Sequence, residues 1–261
     1  MNVAIVTLST EGAIVGGKIA AEVADCRLFV HNSVKCEMKC AIATERFDSI
    51  VALTQELFRR CRKLVYVAPC GVVVRAIAPL LCGKTSDPAV VVVDAGGRYA
   101  ISLLSGHEGG ANALAVEVAN VLGAEPVIST TTEAVKNLIV GIGCRRGATA
   151  ERIMAAIRAA LGKVGAAQDQ VRFLSSASIK CGEAGLLRAA DELGLSLRFI
   201  SCEEILSTTK RFQTSQFVAE KVKLPAVAEP SALLAGRRTQ LILPKTIING
   251  VTVAIARENC S

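Results

Sequence analysis

Short runs of aliphatic and β-branched residues recur along the chain. Between them, apolar residues return every three or four positions. Residues 3–8 form the first run and read as a strand. Gly12, Gly16 and Gly17 follow, and then a helical stretch to Ala24 carries Val15, Ile19 and Val23 on one face. Residues 64–68 are a second strand, closed by Pro69-Cys70-Gly71, and 72–81 reads as a short helix. Residues 89–94 and 98–104 read as strands joined at Ala95-Gly96-Gly97, a hairpin signal. Beyond 105–110 comes a helix with Ala111, Leu114, Val118 and Leu122 at helical spacing, stopped by Gly123. Residues 126–129 read as a further strand. Residues 25–62 yield no element by this reading.

The polar stretch 133–137 lies between two strand-like runs and places a domain boundary, giving domains 1–135 and 136–261. The second domain opens with a strand at 138–142, a glycine-rich turn at 143–147 and a helix at 148–161 with Ile153, Ile157 and Leu161 on its face. A helix at about 183–193 stops at Gly194, and 195–200 is a strand. Ser215 caps a short helix bearing Phe217 and Val218. Pro230 suits the first turn of another helix, ended by Gly236. Residues 240–243 and 251–256 read as strands, with Asn249-Gly250 as a hairpin signal. Strands alternating with helices predict an α/β fold, two three-layer α/β domains with largely parallel sheets.

Composition narrows the function classes. Hydrophobic residues are 51% of the 261 and charged residues 20%, the balance of a packed chain rather than a disordered one. No apolar run approaches the roughly 20 residues of a membrane helix, so no membrane partner is expected. The first residues lack a basic segment, and no signal peptide is read. The ten cysteines include no C-x-x-C pair. Only Cys36 and Cys40 stand close, with two histidines in the chain to complement them, so no metal site is expected. Reduced thiols in the cytoplasm are the simpler reading. Thirty basic residues against 23 acidic ones give a formal charge of +7, which suits an anionic partner. Aromatics at 3%, without tryptophan, argue against nucleic acid.

Three glycine-rich turns are candidate sites. Ser105-Gly106-His107-Glu108-Gly109-Gly110-Ala111-Asn112 links a strand to a helix. Its glycines bring backbone N–H groups near a ligand, and the helix N-terminus favours an anion or a developing oxyanion. His107 supplies a proton acceptor, and Glu108 and Asn112 are placed to orient water or a substrate carbonyl. The other reading is a tight turn with a solvated histidine. Pro69-Cys70-Gly71, with Arg75 one turn on, also follows a strand, and ligands of open α/β sheets bind at carboxyl strand ends. This turn and the Ser105 turn are therefore expected to face one crevice, and Cys70 reads as a small buried thiol or, were His107 to activate it, as a nucleophile. Gly141-Ile142-Gly143-Cys144-Arg145-Arg146-Gly147 resembles a dinucleotide fingerprint. Its last gap is one residue too long, and no acidic residue ends a second strand about 20 positions on. Arg145 and Arg146 at a helix start suit a carboxylate or stand solvated. Lys180 and Lys245 are further basic candidates.

Several blocks together resemble the cobalt-precorrin-5A hydrolase family, CbiG, of anaerobic cobalamin biosynthesis. They are APCGVVVRAIAPLL (68–81), SDPAVVVVDAGGRYAISLLSGHEGGANALA (86–115), PVISTT (126–131), VGIGCRRGATAERI (140–153), GLLRAADELGLSLRF (185–199) and LPKTIINGVTVAIARE (243–258). The second half alone is similar to CobE. Family members commonly carry an extra segment between the domains, so this chain resembles a shortened member. Closure of its site would then come from elsewhere, such as another subunit of a homo-oligomer.

The resemblance implies a reaction. The substrate is an anionic cobalt tetrapyrrole bearing a δ-lactone. The enzyme opens the lactone and releases acetaldehyde to give cobalt-precorrin-5B. No cofactor is expected, because the cobalt arrives inside the substrate, and other enzymes of the cobalamin pathway are the implied partners. On chemical grounds His107 is the expected base, assisted by Glu108 and Asn112. Pro69, Cys70, Gly71, Arg75, Ser105, Gly106, Gly109, Gly110, Gly143, Arg145, Arg146, Lys180 and Lys245 are expected to bind substrate. Two alternatives stand: a non-catalytic carrier of a corrinoid intermediate, and a nucleotide-binding α/β enzyme.

Overall fold

The computed structural model describes residues 2–35, 43–214 and 223–259. Cys36, Cys40 and Cys260, and the helix read around Ser215, Phe217 and Val218, lie outside the described residues. Two compact units divide the chain, Met1–Thr130 and Thr131–Ser261. The division falls just ahead of the polar stretch at 133–137.

The first unit begins with β1 (Val3–Thr7), a run of apolar residues buried on both faces. Helix α1 (Thr10–Glu22) follows at once, its N-terminus capped by Ser9 Oγ, which accepts the Gly12 N–H at 3.0 Å. The sequence places Gly12, Gly16 and Gly17 ahead of this helix. They lie inside it and are buried. A Cβ at Gly16 would come within 2.6 Å of a Thr7 methyl, so glycine lets the helix lie close on β1. That approach offsets the roughly 1 kcal/mol that a helical glycine costs.

The stretch 25–62 holds β2 (Cys26–His31), β3 (Thr44–Phe47) and α2 (Ile50–Arg60). Then come β4 (Lys63–Val67), α3 (Cys70–Ile77), β5 (Ala89–Val93), β6 (Tyr99–Leu104), α4 (Ala111–Leu122) and β7 (Glu125–Val127). The helix read at 72–81 starts two residues earlier and gives way to a 3-10 turn, Ala78–Leu80, at Pro79. The sheet runs β3-β2-β1-β4-β5-β6-β7. Helices α1 and α4 cover one face, with Ile19 and Leu114 buried there. Helices α2 and α3 cover the other through Leu57, Phe58, Val73 and Ile77. Each such side chain, fully buried, contributes about 1.5–3 kcal/mol.

One reversal decides where the turns lie. β1, β2, β3, β4 and β5 are parallel, but β6 is antiparallel to β5. The hairpin closes on the Asp94 carboxylate, which accepts N–H bonds from Gly96, Arg98 and Tyr99 at 3.2, 2.7 and 2.8 Å. Leu104 pairs with Val90, so Ser105 emerges at the start of β5. Pro69 follows β4, whose Val67 pairs with Val93 at the end of β5. Four steps of about 3.3 Å separate those ends by roughly 13 Å. The shared crevice expected for the two turns is therefore corrected: they stand at opposite ends of the sheet. His107 does not serve Cys70.

The second unit starts with α5 (Thr131–Ala134) and β8 (Leu138–Gly143). It continues through α6 (Ala150–Lys163), β9 (Val171–Ala177), α7 (Ala184–Leu193), β10 (Leu197–Ile200), α8 (Cys202–Ser207), α9 (Ala228–Leu234), β11 (Thr239–Ile248) and β12 (Val251–Glu258). Its sheet runs β10-β9-β8-β12-β11, with β8, β9 and β10 parallel and β12 antiparallel to both its neighbours. Asn249 and Gly250, at φ 51° and 78°, form the β11–β12 turn. Helices α6 and α7 pack Ile153, Ile157 and Leu186 against Val140, Ile142 and Val253. Helix α9 lies on the opposite face. There a Cβ at Gly141 would sit 1.9 Å from the Ala228 carbonyl oxygen, so residue 141 must be glycine for α9 to dock.

A cationic cavity at the strand ends of the second unit

β8 and β9 end side by side, at Gly143 and Ala177. The loops that leave them meet the β11–β12 hairpin and the start of α9 around a cavity of about 1250 Å³. Open α/β sheets bind ligands in this place. From the β8 loop come Gly143, Cys144, Arg145 and Arg146. Ile179 and Lys180 come from the β9 turn, Gly182 and Glu183 from the residues before α7. The rest of the lining is Ala226, Val227, Ala228 and Glu229 around the α9 start, and Lys245, Ile247, Gly250 and Thr252 from the hairpin.

Among the described residues four cations thus face two carboxylates, and both carboxylates are already engaged. Glu229 is 2% exposed, and its oxygens accept the N–H groups of Gln213 and Lys245, each at 2.6 Å. Glu183 accepts the Gly147 N–H at 2.6 Å and Lys180 Nζ at 3.3 Å. The Gly147 N–H holds the Glu183 carboxyl below its usual range against the desolvation that raises it, and Lys180 and Arg146 add to the lowering. Arg145 and Arg146 are exposed. Burial pushes the Cys144 thiol up, with Lys180 pulling the other way, so Cys144 stays protonated at neutral pH.

The glycines of the β8 loop each have a separate reason. Gly141 admits α9, and Gly143 borders the cavity. Gly147 takes φ 75°, a left-handed turn that aims its N–H at Glu183. A Cβ at Gly185 would meet the Ala148 carbonyl oxygen at 1.9 Å, so α7 is seated directly on this loop. The likeness to a dinucleotide fingerprint comes from these packing demands.

The Ser105 turn of the first unit closes on itself. Ser105 has φ 55°, and its carbonyl accepts the N–H groups of Gly109 and Ala111 at 3.1 and 3.2 Å. The Gly106 carbonyl accepts that of Asn112 at 2.9 Å. A Cβ at Gly109 would fall 2.5 Å from the Ser105 Cβ, and one at Gly106 would fall 2.7 Å from Asn112 Oδ1. These glycines let the turn fold tightly, and the Gly109, Ala111 and Asn112 N–H groups are bonded within it. Asn112 is 8% exposed. Its Oδ1 accepts from Ser102 at 2.8 Å and its Nδ2 donates to Thr130 at 3.0 Å, so it ties the turn down rather than orienting water. Glu108 pairs with Lys84 at 3.0 Å, which holds its carboxyl below the usual range. His107 is exposed.

At the other end of that sheet, Pro69 caps α3, and Cys70 and Gly71 form its first turn. Arg75 donates back to the Gly71 carbonyl at 2.9 Å instead of reaching outward. Among the expected site residues the structure therefore gathers Gly143, Arg145, Arg146, Lys180 and Lys245 into one cavity. It separates the Ser105 and Pro69 groups. Sequence reasoning missed Glu183, Glu229, Ile179 and Ile247. A carboxylate three residues after Lys180, at the head of a helix, was the available signal for Glu183.

Two open α/β units make up the described chain, and the second carries a net-positive cavity at its strand ends. Family models described as Cobalamin synthesis G N-terminal and Cobalamin synthesis G C-terminus match residues 52–133 and 138–256. The chain belongs to this cobalamin synthesis G family, CbiG. It is 50% identical to the cobalt-precorrin-5A hydrolase of Salmonella typhimurium over 88 residues, 33% of this chain and 25% of that protein. That match spans a quarter of the Salmonella protein's length. It is 26% identical to the cobalt-precorrin-5A hydrolase of Priestia megaterium over 306 residues, 80% of this chain and 82% of that one. The alignment is longer than the chain, so that relative contributes residues absent here. Protein CobE of Sinorhizobium sp is 30% identical over 128 residues, 48% of this chain and 83% of CobE.

Proposed function

We propose that this protein hydrolyses the lactone of cobalt-precorrin-5A in the cytoplasm, releasing acetaldehyde and giving cobalt-precorrin-5B. The observation that carries the reading is the cationic cavity, which lies within the segment matched by the cobalamin synthesis G C-terminal model. Arg145, Arg146, Lys180 and Lys245 suit the carboxylate rim of such a substrate, charge against charge in a partly enclosed site.

The chemistry balances with water alone. Water adds to the lactone carbonyl and the ring C–O bond breaks, leaving a carboxylate and an alcohol. The alcohol then collapses to acetaldehyde as its carbon–carbon bond to the macrocycle breaks, and the macrocycle takes up a proton. We assign the proton acceptor to His107, a role worth about 100- to 10,000-fold in rate. The Gly109 N–H is bonded to the Ser105 carbonyl at 3.1 Å and does not face an oxyanion.

The test is anaerobic incubation of the whole chain with cobalt-precorrin-5A. Acetaldehyde released in step with substrate loss is the expected result, diminished by His107→Ala. Tight binding of substrate with no acetaldehyde would overturn the reading in favour of a carrier. The likeness to CobE, which covers 48% of the chain, is the observation that favours that second reading.

A further inference from the structure

The reaction leaves one proton without a source. When acetaldehyde departs, the macrocycle keeps the electron pair of the broken carbon–carbon bond and needs an acid. Of the four cations around the cavity, Lys180 is set apart. It rises from the 3-10 turn at the carboxyl end of β9, and its Nζ lies 3.3 Å from Glu183 Oε2, with the two side chains 15% and 10% exposed. Glu183 is itself fixed by the Gly147 N–H at 2.6 Å, so the ammonium is anchored to the β8 loop as well as to its own turn. Arg145 and Arg146 are exposed, and a guanidinium does not surrender its proton. Lys245 is held through its backbone N–H, which donates to Glu229 at 2.6 Å, and among the described residues its Nζ is in no ion pair. The Glu183 carboxyl, held below its usual range, is ionised at neutral pH and has no proton to give. The Cys144 thiol is near enough to feel the Lys180 charge, but burial pushes it up, and a neutral thiol offers no charge to a developing carbanion.

We propose that Lys180, positioned by Glu183, is the acid that protonates the macrocycle as acetaldehyde leaves. The hydroxyl O–H bond of the opened lactone breaks, its proton passes to the base, and its oxygen becomes the carbonyl of acetaldehyde. The carbon–carbon bond breaks with its electron pair left on the macrocycle. One Nζ–H bond of Lys180 breaks, and that proton joins the pair as a new C–H bond. The neutral amine regains a proton from water, so no oxidant, reductant or further reactant enters. Before it gives up the proton, the ammonium also stabilises the negative charge as it develops, in a partly enclosed site where such an interaction is stronger than in water. Glu183 acts through Lys180 and is a positioning residue. The inference rests on the hydrolase reading and goes beyond it in naming the acid of the second step. It also separates the two steps, since lactone opening does not use the Lys180 proton and carbon–carbon cleavage does.

The experiment incubates the whole chain anaerobically with cobalt-precorrin-5A and follows three species: the substrate, acetaldehyde, and the lactone-opened hydroxy acid, one water heavier than the substrate by mass. Lys180→Arg keeps the charge and the pair with Glu183 but withholds the proton. It is expected to open the lactone at the wild-type KM, to release acetaldehyde about 100-fold or more slowly, and to accumulate the hydroxy acid. Lys180→Ala covers the case in which the bulkier side chain disturbs the turn. It is expected to accumulate the same hydroxy acid, and added methylammonium, an external donor of the same chemistry, is expected to restore its consumption. Glu183→Gln keeps an acceptor for the Gly147 N–H and loses the charge beside Lys180. It is expected to lower kcat with little change in KM and to move the basic limb of the acetaldehyde-release profile to lower pH, which a purely structural loss does not do. Wild-type acetaldehyde release by both Lys180 variants would overturn the inference and leave the hydrolase reading in place. So would hydroxy acid that builds up in Cys144→Ala instead, or that persists in Lys180→Ala at every methylammonium concentration. A wild type that consumes no substrate sinks the hydrolase reading and this inference with it.

Discussion

Glu183 is the residue on which the shape of the cavity's arginine loop depends. Its carboxylate joins the Gly147 N–H to Lys180 Nζ, and its side chain is 10% exposed. Glu183→Ala leaves a left-handed glycine with an N–H aimed at nothing and a half-buried lysine without its counter-ion. A charge-assisted hydrogen bond is worth about 1.5–3 kcal/mol, and water entering the gap recovers part of it, so a loss of about 1–3 kcal/mol is expected. For a unit of this size that lowers the melting temperature by roughly 4–10 °C. The pH dependence has a definite sign. Because the folded carboxyl titrates below its ordinary value of 4.5, its stabilisation is complete above that pH. It drains away as pH falls from there through the folded value. Thermal melts of wild type and Glu183→Ala should therefore differ at pH 7 and converge in acid. Equal melting temperatures at pH 7 would refute the clamp. A difference that persists unchanged into strong acid would refute its electrostatic origin.

Other residues give sharper tests of packing and topology. Gly141→Ala sets a methyl against the Ala228 carbonyl 1.9 Å away, and a loss of about 2 kcal/mol or more is expected by chemical denaturation. Tyr66 is buried with its hydroxyl donating to Thr54 at 3.0 Å, and burial pushes its pKa up from 10.0 to about 12. Stability should therefore be intact below pH 10 and decline toward 12 by up to about 3 kcal/mol, with Tyr66 ionising late by phenolate absorbance. Because the Pro69 and Ser105 turns stand at opposite ends of their sheet, alkylation of Cys70 should proceed at the same rate in wild type and His107→Ala. A slowed reaction would contradict the strand order.

The alternation of strand-sized runs and helical periods made the three-layer α/β character legible, because parallel strands buried on both faces read as continuous apolar runs. Residues 25–62 were not legible. β3 is largely exposed, and α2 opens on an apolar run with no glycine or proline to mark its ends. β9 was hidden because it carries Ser175 and Ser176 near its end, polar residues that are fully buried, the latter donating to the Ile142 carbonyl at 2.8 Å. β11 was cut short at Pro244, where the ladder shifts register and then resumes. In the candidate sites, glycine counts misled. Gly12, Gly16, Gly106, Gly109, Gly141 and Gly185 serve close packing, and spacing alone does not separate that from a ligand cradle. The hairpin was legible at Ala95-Gly96-Gly97, but the expected shared crevice ignored its consequence: it reverses one end of the sheet and carries the Ser105 turn away from Pro69. The basic residues Arg145, Arg146, Lys180 and Lys245 were visible as charge, but only the fold brings them to one cavity.

The most direct test of the account is the rate of acetaldehyde release from cobalt-precorrin-5A by wild type and by Arg146→Gln/Lys245→Gln. If the second unit's cavity holds the acidic rim of the substrate, the double variant folds normally. Its KM then rises by one to two orders of magnitude, with each lost charge-assisted contact costing about 1.5 kcal/mol or more. An unchanged KM, or no acetaldehyde from wild type, would contradict it.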